Sequence, residues 1–81
     1  MERNDYDTMY TEVLVFRTNI CSDQEIEKLT ELFSDFTDIL RWNVDREDVD
    51  KVLRIESGII NPNIIVSLLR NAGFECEELP D

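Results

Sequence analysis

Histidine is absent from the 81 residues. That removes the commonest general base near neutral pH and the commonest zinc ligand. Glycine and proline occur only twice each, so no flexible linker and no phosphate-cradling glycine loop can be drawn. The two cysteines make no disulfide framework, and they point to a cytoplasmic protein with reduced thiols. Apolar runs such as Val13 to Phe16 fall far short of the ~20 residues that span a bilayer. The opening residues Met1-Glu2-Arg3-Asn4-Asp5 carry no apolar signal core. Positive charge is scarce as well. Eight basic residues against nineteen acidic ones leave a net charge of −11. Such a charge repels phosphate backbones and anionic lipid, so nucleic acid and membrane are poor partners, neither is expected, and basic proteins or cations are better candidates. It also keeps a small domain soluble.

The length suits one small domain. Residues 1–11 read as a flexible acidic leader, and residues 12–79 as the folded unit. Glu12 to Arg17 is an apolar strand. Ser22 and Glu25 form a capping box, and Ile26, Leu29, Phe33 and Phe36 follow on one helical stripe, widened by Leu32. Ile39 to Asp45 alternates as a second strand, with Trp42 and Val44 on one face. A charged turn, Asp45 to Asp50, leads to a third strand, Lys51 to Glu56. Asn61 caps a second helix and Pro62 occupies its first turn. Ile64, Ile65, Leu68, Leu69 and Ala72 make its buried stripe, and Gly73 follows the end, where a left-handed conformation suits glycine. Phe74 to Leu79 is a last strand, closed by Pro80.

This β-α-β-β-α-β order predicts an α+β fold of the ferredoxin-like kind, a two-layer sandwich with a four-stranded antiparallel sheet and two helices on one face. Topology then brings Cys21, the Asp45 to Lys51 turn and Gly73-Phe74 to one end of the domain. From about Glu12 to Glu78 the chain resembles the heavy-metal-associated domain family, the fold of copper chaperones. The resemblance is carried by the strand ending in Val44-Asp45, the helix Pro62 to Asn71 and the closing Ala72-Gly73-Phe74-Glu75. It implies a metal loop with the motif Met-x-Cys-x-x-Cys, in which two thiolates hold monovalent copper. Here those places read Asn19, Cys21 and Gln24, so one ligand remains.

Cys21 is thus the candidate ligand for copper(I) or another soft metal, and a candidate redox thiol; Asn19, Gln24 and Phe74 are its loop neighbours. A remnant or packing cysteine is the simpler reading, and no cofactor is required. Cys76 reads as a small apolar filler facing the helices. Asp45, Glu47 and Glu56 match three EF-hand ligand places, but Asp50 stands where that loop needs glycine, which favours a solvated hairpin. Trp42 reads as packing beneath a helix. No nucleophile–base pair appears, and no enzyme is predicted.

The outer sheet face carries Val13, Val15, Val52 and Leu79 among Arg17, Arg41, Arg54, Glu75 and Glu77. An apolar centre ringed by charge suits contact with a protein partner or a second copy in a homodimer. The alternative is a sheet that carries a few valines for strand propensity. Two functions follow as expectations: an interaction module on a heavy-metal-associated scaffold with an incomplete ion site, or soft-metal or redox chemistry through Cys21.

Overall fold

The computed structural model describes residues 12–58 and 60–80; the leader assigned to residues 1–11 lies outside them. The strands are β1 (Glu12–Thr18), β2 (Ile39–Asp45), β3 (Val52–Ser57) and β4 (Cys76–Glu78), and the helices are α1 (Asp23–Phe33) and α2 (Pro62–Asn71). The sheet runs β2-β3-β1-β4, with every neighbouring pair antiparallel. This is the ferredoxin-like arrangement.

The core follows from alternation. Leu14 and Phe16 of β1, Leu53 and Ile55 of β3 and Cys76 of β4 share one sheet face. Leu29 and Phe33 of α1 and Ile65 and Leu69 of α2 close over them in the same buried cluster. Both helices therefore roof one face, and no helix among the described residues covers the other. Each such side chain contributes about 1.5–3 kcal/mol by leaving water. Trp42 packs edge-on against Phe33, with ring centroids 5.2 Å apart at 78°, which anchors α1 over β2.

The helix boundaries have local causes. Ser22 Oγ accepts from the Glu25 amide at 3.1 Å, completing the capping box. The Asn61 side chain accepts from the Asn63 amide at 2.9 Å ahead of Pro62. Gly73 has φ +97°, the left-handed conformation expected past the end of α2. Phe36 falls outside α1, in the turn that follows, where its amide donates to Phe33 O at 3.0 Å. Ile64 is 48% exposed and lies beside the buried stripe of α2 rather than within it.

Strand boundaries shift for non-local reasons. β4 spans Cys76–Glu78 only, not Phe74 to Leu79. The Phe74 amide donates to Leu69 O and the Glu75 amide to Asn19 Oδ1, each at 3.0 Å, so neither joins the ladder. β1 runs one residue further, to Thr18, and β3 begins at Val52, because Lys51 adopts φ +47°. β2 carries an irregularity between Ile39 and Arg41 that turns out Leu40, which is 62% exposed.

Candidate functional site

The three segments that topology should unite do meet. The Thr18 amide donates to Asp50 O at 3.0 Å, and Thr18 Oγ1 donates to Lys51 O at 2.6 Å. Asn19 ties the start of β4 to the end of β1 through the Glu75 amide. Arg46 Nη1, from the β2–β3 turn, donates to Cys21 O at 3.3 Å and to Asp23 Oδ1 at 2.8 Å. Within the turn, Asp45 Oδ1 and Asp48 Oδ1 accept from the Glu47 and Asp50 amides at 3.2 and 2.8 Å. The acidic residues therefore cap their own backbone. Glu56, the third residue of the calcium pattern, instead pairs with Arg41 at 3.5 Å.

Cys21 is exposed at the rim of this end. The Glu25 carboxylate accepts from the Cys21 and Ser22 amides at 2.9 and 3.1 Å. Those two donors, the Cys21 amide first, hold the carboxyl below its ordinary range. A carboxylate thus occupies the amides that a thiolate or another anion would use. Gln24 is exposed in the first turn of α1. Phe74 is buried in the core cluster. Cys76 is also buried, in the core cluster, and burial pushes its thiol up to about 11, which disfavours its thiolate. Among the described residues, no three or more His, Cys, Asp or Glu side chains form a group that could hold a metal ion. Two-coordinate copper(I) needs a second soft donor, and Cys21 alone does not fit it.

A groove of about 780 Å³ opens where the end of β1, the β2–β3 turn and β4 meet, and Cys21 does not line it. Arg17, Lys51 and Arg70 reach its walls together with Asp50, Glu75 and Glu77, which balance them. Arg17 pairs with Glu77, directly across from it on β4, and approaches Asp50 at 4.0 Å. The hydrogen bond to Glu77 raises the Arg17 pKa, and the same bond lowers that of Glu77. Arg70 Nε donates to Cys76 O at 3.2 Å.

The unroofed sheet face has a different character. Val13 is 52% exposed, and Val15 and Leu79 are half-buried. The Leu79 amide donates to Val15 O at 2.9 Å, which sets these two side by side. Val13 and Leu79 line a common hollow of about 510 Å³ with Pro62 and Pro80. Val52, expected on this surface, is only 6% exposed and adds almost no accessible area to it. Arg54 is exposed and sits opposite Val15 in the β1–β3 register. The Arg17–Glu77 and Arg41–Glu56 pairs bound the apolar centre.

Thr18 and Arg46 were missed by the sequence reading. The period-two series Leu14, Phe16, Thr18 marks Thr18 as inward-facing; no local signal marks Arg46, whose partners lie across the fold. No family model matches the chain, and neither the curated proteins nor the solved structures return a match.

Proposed function

We propose that the chain is a non-enzymatic protein-binding module on a heavy-metal-associated type of scaffold, with an incomplete ion site, working in the cytoplasm. The supporting observation is the grouping of Val13, Val15 and Leu79 on a sheet face that neither helix covers. An apolar centre within a ring of ion pairs suits a protein surface of modest size. Neutral ion pairs at the border set orientation more than affinity.

The test is Val15→Glu, which puts a charge in the centre of the patch. Circular dichroism should stay unchanged. Concentration-dependent sedimentation, or co-purification of a bound protein, should be lost. Unaltered association by the folded variant would sink the reading.

Soft-metal or redox chemistry through Cys21 is the second reading, favoured by the exposure of that thiol at the strand–helix junction. A copper(I) competition titration against a chromogenic chelator, with Cys21→Ala alongside, decides it. Equal and weak binding by both proteins removes it.

A further inference from the structure

The edge of β2 is a second surface, unrelated to the bare face. The sheet order leaves β2 at the border, with β3 on one side and no strand beyond it among the described residues. An open edge presents unpaired amides and carbonyls at strand spacing, and proteins usually blunt such edges. Here the bulge that would blunt it sits at the start, at Leu40. Arg41 to Asp45 remain in regular register with β3. A hollow of about 410 Å³ runs along this edge between β2 and α1. Phe33, Ile39, Leu40 and Trp42 give it apolar walls, and Thr30 of α1 and Ser34, the residue that caps its end, form its rim. Both rim hydroxyls are occupied within the helix, by Ile26 O at 3.1 Å and Glu31 O at 2.7 Å.

The charge around this hollow is mostly negative. Glu27 stands three residues before Thr30 and Glu31 three before Ser34, on the same side of α1, and both are exposed. Asp35 and Asp38 are exposed in the connection from α1 to β2. Arg41 is the lone cation in the lining, and Glu56 offsets it at 3.5 Å.

We propose that the β2 edge accepts an extended, basic segment of a partner protein as a fifth strand, with one of its apolar side chains seated over Phe33 and Trp42. Main-chain bonds to the edge supply binding, the hollow selects an apolar residue, and the acidic rim selects lysine or arginine around it. A second copy of this chain is a poorer occupant. Pairing two β2 edges about a two-fold axis sets both α1 helices on the same side of a continuous sheet. Glu27 and Glu31 of one copy then face those of the other, at a net charge of −11 per chain.

Trp42 is the only tryptophan, so its emission reports on the hollow directly. The probe is an acetylated, amidated heptapeptide in which lysine alternates with valine or leucine. Two further versions carry N-methyl groups on alternate amides, each blocking one edge of the peptide. The parent peptide should change Trp42 emission saturably. One N-methylated version should bind about tenfold more weakly or worse, through loss of several main-chain bonds, while the other binds like the parent. Glu31→Lys and Thr30→Arg should each weaken the parent peptide. Val15→Glu should leave this titration unaltered, which separates its outcome from that of the bare-face surface. Equal binding of the two N-methylated versions would reduce the effect to charge attraction and overturn the proposal. So would peptide-independent dimerisation that shifts Trp42 emission, because the edge would then belong to a second copy.

Discussion

Thr18 Oγ1 donates to Lys51 O at 2.6 Å and accepts from the Ile20 amide at 3.2 Å. One buried hydroxyl thereby joins the end of β1, the approach to α1 and the β2–β3 turn. The turn needs that tie, because Lys51 leaves it in a left-handed conformation that a side chain rarely adopts.

Thr18→Val keeps the shape and removes both bonds. It leaves the Lys51 carbonyl and the Ile20 amide without that partner in a buried setting. The expected cost is about 1–3 kcal/mol. For a domain of this size each kcal/mol lowers the midpoint by about 4–8 °C. Thermal unfolding measures it, and Thr18→Ser, which keeps the hydroxyl, should lose clearly less.

The two thiols should behave oppositely. Cys21 is exposed and Cys76 is buried, its thiol pushed up to about 11 by burial. With an aromatic disulfide reagent at about pH 8, one thiol per native chain should react fast, and the second only on unfolding. Cys21→Ser should abolish the fast phase. Folded Cys76 holds its proton more tightly than an ordinary thiol does. Its contribution to stability is therefore present below the ordinary thiol range and is lost as the pH climbs towards about 11. Two fast thiols in the native protein would contradict the burial of Cys76.

The capping box at α1 should be visible in acid. Ser22→Ala is expected to cost about 1 kcal/mol in denaturant unfolding. Glu25 titrates below its ordinary value because it accepts from the Cys21 and Ser22 amides. Folding therefore gains from this carboxylate above the ordinary carboxylate range, and the gain is lost as the pH falls through the lowered value. The stability gap between wild type and Glu25→Gln should be widest near neutrality and close in acid. A gap that is flat with pH would mean that the carboxylate charge contributes nothing.

Gly73 isolates a backbone cost. A Cβ built there meets nothing within 4 Å, yet φ is +97°. Gly73→Ala should therefore destabilise by about 1–2 kcal/mol through conformation alone. Gly73→Asn should cost less, since asparagine tolerates positive φ better. Equal stability of all three chains in a urea titration would show that the turn relaxes to another conformation.

Much of this architecture is legible without coordinates because its signals are local. Ser22 with Glu25, Asn61 with Pro62, and Gly73 are read within a few residues of one another, and they mark the start of both helices and the end of α2, whereas α1 stops at Phe33, short of the Phe36 expected on its stripe. The alternation of Leu14 with Phe16 and of Leu53 with Ile55 names the inner sheet face in the same way. The last strand is shorter than its sequence suggests because the Phe74 and Glu75 amides are taken by Leu69 O and Asn19 Oδ1.

The order of elements and the two amphipathic stripes belong to the chain itself, since each depends on neighbours in sequence. Which outward residues meet water was decided only by folding. Val13 and Val52 share the outer face of the sheet, yet one is half exposed and the other buried. Leu40 is turned out by an irregularity in its pairing with β3. The hollow beside Trp42 exists because α1 rests through Phe33 on Trp42, in a strand with no outer neighbour among the described residues. Accessibility is a sum over atoms distant in sequence, and that sum exists only once the chain has closed on itself.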